Sequence, residues 1–338
     1  MLRESHPHPN GRFWGTLMGI VAPSRQWVRD DGGLDESLHQ RAREALDTLG
    51  FTVRYANNAF DNDRRYAGTV EARVAGLVGM LSPEQGRSPS LVMALRGGAG
   101  AAQLLPYLPW TTWQRRYEEG DFPVLMGFSD FTALNLALLS RGIVSWQGPT
   151  LRDLINPDPL TLEALAMALG KTPWQVSFTN ESVSPTLAPA SMTLEGRLWG
   201  GNLTVLTSLM GTPYFPDTKA LAGGILFIED VGEPAYRIDR MLTQLALSGI
   251  LATQQAVILG DFQGANRAQT WPEDLTLESV MKDWVHRTGV PVMRGLPFGH
   301  IHAKTALPVG EWVRLTYHAP HVTLEACYAH LREEQRER

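Results

Sequence analysis

One cysteine, Cys327, stands among 338 residues, so no intrachain disulfide can form and no thiolate cluster is available for a structural zinc. Charged residues are scarce, at 19%, and cations show no excess: 30 Lys and Arg against 35 Asp and Glu leave a formal net charge of −5. Binding to nucleic acid needs a basic surface that releases counterions from phosphates, so this balance excludes nucleic acid as an expected partner. Long apolar runs are missing too. No stretch of about 18 residues is free of charges or of clustered Gly, Pro and Asn, so no membrane partner is expected. Residues 13–22, preceded by Arg3 and Arg12, have the outline of a secretory signal, yet they contain Gly15 and Gly19 and lead through Pro23-Ser24 into an amphipathic segment. That context predicts a buried opening strand and a cytoplasmic protein. What is present is an ordinary globular composition, 43% hydrophobic. At roughly 150 residues per domain, the length predicts two domains.

Apolar periodicity gives their class. From Leu34 on, Leu38, Ala42, Ala45, Leu46 and Leu49 recur at helical spacing, and Gly50 stands where a helix C-cap belongs. Residues 51–53, 90–95 and 124–128 read as strands, while 101–108 and the stripe Phe131, Leu134, Leu138 and Leu139 read as helical. This α/β alternation predicts a mostly parallel sheet covered on both faces, with ligands at the carboxyl ends of its strands. It stops near Asn156-Pro157-Asp158-Pro159, and a Pro- and Ser-rich stretch follows at 184–191. The expected division is an N-terminal α/β domain over 1–155, a linker over 156–190 holding a helix at 160–169, and a C-terminal mixed α/β domain over 191–338. In the last, 225–228, 256–259, 312–317 and 322–326 read as strands, Ile238, Met241, Leu242 and Leu245 as a helix stripe, and 331–338 as a charged, solvated tail.

Several clusters suit chemistry. A buried strand runs into Gly127-Phe128-Ser129-Asp130 and directly on into a helix. A serine at such a turn exposes Oγ at the top of the sheet, and the next backbone N–H can face a developing oxyanion. The alternative is a helix cap, and Phe131 stands where the full elbow pattern has its second glycine. A nucleophilic serine needs a base, and a carboxylate to orient that base. Of nine histidines, His300 and His302 lie in a Gly- and Pro-fixed loop at 295–302, the kind of place where functional residues collect. For the carboxylate, Glu229 at the end of an apolar strand ranks first, Glu233 second and Asp230 third, because the last two can charge or cap the helix after Pro234. Arg96-Gly97-Gly98-Ala99-Gly100 lacks the ending of a phosphate loop and the spacing of a dinucleotide fingerprint, so an oxyanion hole and a plain tight turn remain. His300 and His302 with Asp261 or Glu233 do not have a zinc spacing, and i, i+2 residues on a strand face opposite sides. No metal and no cofactor is expected.

Seven segments carry a resemblance. In order they are Gly19-Ile20-Val21-Ala22-Pro23-Ser24, Ala67-Gly68-Thr69 with Glu71 and Arg73, Arg96-Gly97-Gly98, Gly127-Phe128-Ser129-Asp130, Trp199-Gly200-Gly201-Asn202-Leu203, Ile228-Glu229-Asp230 and Leu296-Pro297-Phe298-Gly299-His300. Together they resemble the LD-carboxypeptidase family of serine peptidases, which includes muramoyltetrapeptide carboxypeptidases and microcin-immunity peptidases. The resemblance implies a flavodoxin-like N-terminal parallel sheet with flanking helices, a smaller C-terminal α/β domain, and a pocket between them. It implies Ser129 as nucleophile, His300 as general base and acid, Glu229 as the orienting carboxylate, and the backbone N–H groups of Gly98 and Asp130 as the oxyanion hole. Arg96, Trp199 and Lys304 are the candidates for substrate contact. The implied substrate is a small peptide, the murein tetrapeptide, cut between the L-centre of meso-diaminopimelate and terminal D-alanine during cell-wall recycling. The implied assembly is a homodimer. Ala99 replaces a tyrosine common in the family, and Trp146-Gln147-Gly148-Pro149 stands where members often have His-Gly-Pro; both are expected at the pocket and bear on substrate choice. Two alternatives remain: an immunity-type peptidase that cleaves a peptidyl-nucleotide antibiotic with the same triad, and a non-catalytic binder of cell-wall peptides.

Overall fold

The opening apolar stretch forms strand β1 (Leu17–Val21), buried along nearly its whole length. The structure, a computed structural model, describes residues 11–27, 35–83, 87–181, 188–266 and 274–327. Leu34, residues 182–187 of the expected linker and the expected tail at 331–338 lie outside them. After β1 come β2 (Thr52–Tyr55), β3 (Leu91–Ala94), β4 (Val124–Gly127) and β5 (Ser145–Gln147). Then follow β6 (Gln175–Thr179), β7 (Ser191–Asn202), β8 (Ile225–Val231), β9 (Ala256–Gln263) and β10 (Val292–Arg294). The described residues close with β11 (Leu307–Val309), β12 (Trp312–His318) and β13 (His321–Ala326).

Five strands of the first sheet, in the order β2-β1-β3-β4-β5, are all parallel, which is the flavodoxin order. Uniformly buried strands such as Leu91–Ala94 suit a sheet covered on both faces. The second sheet has the order β10-β9-β8-β7-β12-β13-β6. Its half from β10 to β7 is parallel, and its half from β7 to β6 is antiparallel. The long β7 joins the halves, pairing β12 through Ser191–Arg197 and β8 through Leu198–Asn202.

Two features differ from the sequence expectation. The 156–190 stretch holds the expected helix, Pro159–Ala168, but also β6, which closes one edge of the second sheet. Residues 307–309, expected in the C-terminal domain, form β11 and pair antiparallel with β5 in the first sheet. Pro308 lacks a backbone N–H, and an edge strand tolerates that. With these additions the first sheet has six strands and the second seven.

The helix Thr132–Leu139 is buried on every side, as its mostly apolar sequence demands, with the side chains of Thr132 and Asn135 satisfied by hydrogen bonds. It packs against β5, β7 and the helix Leu203–Ser208, and so lies between the two sheets. The helix Glu36–Leu49 starts where Asp35 accepts the Leu38 N–H, whereas Ala101–Tyr107 winds as a 3-10 helix around the internal Pro106. Among the described residues, no helix is long and apolar enough to cross a membrane.

Candidate active site

Strand β4 delivers Ser129 at its carboxyl end in a strained conformation. Its φ is +63°, in the left-handed region that only Ser129 and Arg64 occupy among the described non-glycine residues. The Arg96-Gly97-Gly98 turn at the end of β3 lies directly against it. A Cβ on Gly97 would stand 2.8 Å from the Ser129 Cβ and 3.1 Å from its Oγ, so only glycine permits this approach. Gly98 has φ +133°, and a Cβ there would meet the Arg25 Cβ at 2.5 Å. Asp130 ties the turns together: its Oδ2 accepts the Ser24 hydroxyl at 2.6 Å and the Ala101 N–H at 2.8 Å. Buried Arg73 locks the same edge by donating to the carbonyls of Pro23 and Gly100 and to Gln103 Oε1. The backbone N–H of Asp130 lies in the first helical turn, where no helix carbonyl precedes it.

The second sheet brings the partners. Glu229 of β8 has no exposed surface, and its Oε2 lies 2.8 Å from His300 Nδ1. His300 Nε2 lies 3.2 Å from Ser129 Oγ. An ionised Glu229 holds the imidazole proton on Nδ1, which leaves Nε2 to accept from the serine hydroxyl. Burial pushes the Glu229 carboxyl above the ordinary glutamate range, while the His300 hydrogen bond opposes that rise. Phe128 packs edge-on to both Phe298 and His300, and Phe298 packs in turn on Phe227, so an apolar floor spans the two sheets beneath the imidazole.

The other candidates fall elsewhere. Asp230 accepts from Asn202, Thr204 and Val231, and Glu233 pairs with Arg237 at 2.9 Å, so of the three carboxylates Glu229 is the one at the imidazole. His302 is exposed, and the two loop histidines do not converge. Trp199 is a correction: it has no exposed surface and donates its indole N–H to Gln254 Oε1, because its half of β7 is covered on both faces. Gln147, expected at the pocket, is likewise fully buried. Lys304 is a further correction. It is 2% exposed, with Nζ 2.6 Å from Asp153 Oδ1 and 4.2 Å from the Phe128 ring centroid, so its charge is already engaged inside the protein. Lys304→Met should destabilise the fold by about 3 kcal/mol by stranding the Asp153 charge. Urea denaturation measures this, and wild-type stability in the variant would contradict it.

Sequence reasoning missed the strut between the domains. Thr132 Oγ1 accepts from Gln147 Nε2 at 2.8 Å and from the Asn202 backbone N–H at 3.0 Å. Asn202 faces Glu229 across the β7–β8 ladder, and its Nδ2 donates to Glu229 Oε1 at 3.1 Å. The helix that follows the serine is thereby bonded to the residue that holds the acid. Asn202 stood inside a segment that carried the family resemblance, but only the pairing register shows what its side chain reaches.

Residues 18–148 match the LD-carboxypeptidase N-terminal domain, and residues 195–315 match the LD-carboxypeptidase C-terminal domain. The chain is 31% identical over 301 residues to a probable murein peptide carboxypeptidase of Bacillus subtilis, an alignment covering 88% of this chain and 87% of that protein. It is 34% identical over 300 residues to a murein tetrapeptide carboxypeptidase of Pseudomonas aeruginosa, covering 87% and 91%. The crystal structure of muramoyltetrapeptide carboxypeptidase from Oxalobacter formigenes aligns with a TM-score of 0.77 at 32% identity, over 91% of this chain and 98% of that one. MccF in complex with glutamyl sulfamoyl guanosine shares the fold, with a TM-score of 0.75 at 21% identity over 93% and 97% of the two chains. With both domain models matched in order and relatives above 30% identity along most of its length, the chain belongs to the LD-carboxypeptidase family.

Proposed function

We propose that the protein is a serine L,D-carboxypeptidase that hydrolyses the bond between the L-centre of meso-diaminopimelate and the terminal D-alanine of murein tetrapeptide, in cell-wall recycling. The observation that carries this reading is the continuous chain Ser129 Oγ, His300 Nε2, His300 Nδ1 and Glu229 Oε2, at 3.2 and 2.8 Å. Ser129 Oγ attacks the scissile carbonyl carbon as its proton passes to Nε2. The backbone N–H groups of Gly98 and Asp130 receive the oxyanion. Collapse breaks the C–N bond, Nε2 protonates the leaving amine, and D-alanine departs. Water then attacks the acyl-serine, giving its proton to Nε2, and Ser129 is regenerated.

The names of the relatives at 31–34% identity support the murein substrate. The peptidyl-nucleotide alternative draws on a neighbour that shares the fold at 21% identity. A pure binder has no use for a strained serine hydrogen-bonded to an oriented imidazole. The same reading has the enzyme act in the cytoplasm as a homodimer, as the family resemblance implies; sedimentation equilibrium measures the assembly, and a monomer at micromolar concentration would refute that part. The central test incubates the purified protein with meso-diaminopimelate tetrapeptide and follows D-alanine by mass spectrometry. Release is expected. Its absence from protein whose Ser129 reacts with a fluorophosphonate would overturn the substrate.

A further inference from the structure

Three arginines belong to the turn beside Ser129, crowd it, or act on it electrostatically, and none of them is paired with a carboxylate among the described residues. Arg96 directly precedes Gly97, the residue that lies against the Ser129 side chain. Arg25 follows the turn after β1, and its Cβ crowds Gly98. Arg152 stands in the short helix Leu151–Leu154 after β5. None of the three takes part in any ion pair among the described residues. Burial, and then the charges of Arg152 and Arg25, pull Arg96 down to about 10, so Arg96 lies within electrostatic reach of both. Arg96 Nε is buried and has no hydrogen-bond partner.

The neighbouring acids are engaged. Asp153, adjacent to Arg152, is bonded to Lys304 and to both the N–H and the hydroxyl of Thr150. Asp130 is held by Ser24 and Ala101. Like charges this close repel, and a desolvated guanidinium lacking an acceptor is costly. An anionic ligand relieves both. In a chain whose net charge is −5, an unbalanced cationic cluster at the nucleophile marks a place for such a ligand.

We propose that Arg25, Arg96 and Arg152 form the receptor for the free carboxylate of the leaving amino acid, and that this receptor restricts the enzyme to chain ends. The proposal deepens the function proposed above and rests on it. In a C-terminal residue the carboxylate carbon is two bonds from the scissile nitrogen, so its receptor must lie within a few ångströms of the serine. The turn that carries Arg96 does so. The planar guanidinium fork matches a carboxylate in two parallel hydrogen bonds, which a lysine cannot provide. The other cations near the motifs are occupied, Lys304 by Asp153 and Arg237 by Glu233.

The test compares murein tetrapeptide with its C-terminal carboxamide. Turnover is measured with the wild type, with Arg96→Gln and with the double variant Arg25→Gln/Arg152→Gln; binding is measured by calorimetry in the same set carrying Ser129→Ala. Arg25 and Arg152 are exposed, so the double variant folds whatever the partly buried Arg96 position tolerates. The wild type should prefer the acid, and the variants should lose that preference through a KM for the acid raised roughly tenfold to a hundredfold. In the double variant, whose two positions lie outside that turn, labelling of Ser129 by a fluorophosphonate, which carries no carboxylate, should stay near wild type. An unchanged acid-to-amide ratio in the double variant overturns the receptor and leaves the carboxypeptidase reading intact. Failure of the Ser129→Ala protein to bind either peptide overturns both.

Discussion

Ser129→Ala should slow D-alanine release by about 10⁴-fold or more while the protein stays folded, because the hydroxyl supplies the covalent bond and no neighbouring oxygen takes its place. The residual rate measures what the oxyanion donors and binding contribute by themselves. The strain at this residue makes a second, opposite readout available. A left-handed φ of +63° costs an L-residue roughly 1–2 kcal/mol, and glycine escapes that cost while losing about 0.5–1 kcal/mol to unfolded-chain entropy. Ser129→Gly should therefore be inactive and melt at or slightly above the wild type, although glycine at an ordinary site destabilises. Calorimetry on the three proteins, paired with the D-alanine assay, decides the matter. A glycine variant melting several degrees lower would show that the elbow stores no strain, and an alanine variant at wild-type rate would remove Ser129 from the chemistry.

Replacing the acid separates activity from stability in the same way. Glu229→Gln should cut kcat by about 10⁴-fold, since a neutral amide neither holds the proton on His300 Nδ1 nor stabilises the imidazolium that forms when Nε2 takes the serine proton. Stability should move the other way at neutral pH. Burial raises the Glu229 carboxyl above its ordinary value, so the folded state holds that proton more tightly than the unfolded chain does. This contribution to stability is complete below the ordinary glutamate range and is lost as pH rises through the raised value. The ionised form thus carries a stability cost at pH 7 that glutamine avoids, while the Asn202 Nδ2 donor still finds an acceptor in the new side-chain oxygen. Urea denaturation from pH 4 to pH 8 should show Glu229→Gln gaining on the wild type as pH rises. A variant that loses ground over that range would mean that the hydrogen bonds from His300 and Asn202 outweigh burial.

Much of the site is legible in the linear chain because its signals are local. An apolar run that ends in Gly127-Phe128-Ser129-Asp130 and enters a helix at once dictates a tight turn at a strand's carboxyl end, and Glu229 at the end of another apolar run lies at the same kind of edge. The glycines of the Arg96-Gly97-Gly98 turn belong to the same class, since a missing Cβ is a property of the residue itself. The seven ordered segments pointed to the family for the same reason: each is a short stretch whose backbone geometry its own residues impose.

Side-chain partnerships across the fold are another matter. Lys304 and Trp199 look like surface contacts in the sequence, yet one ends against Asp153, 151 residues away, and the other against Gln254, 55 residues away. The edge strand Leu307–Val309 is too short to show a period, and its choice of β5 in the first sheet follows from which edge stands open once both sheets have formed. The strut from Gln147 through Thr132 and Asn202 to Glu229 depends on the β7–β8 register and on the helix wedged between the sheets. The sequence by itself determined the α/β class, the strand-end turns and the residue types of the triad, because short-range sterics and apolar periodicity act within a few residues. Only the tertiary structure decided which charges are spent internally, which are left without an ion-pair partner among the described residues, and how the acid is held, because burial and pairing depend on the chain segments that fold in from far away.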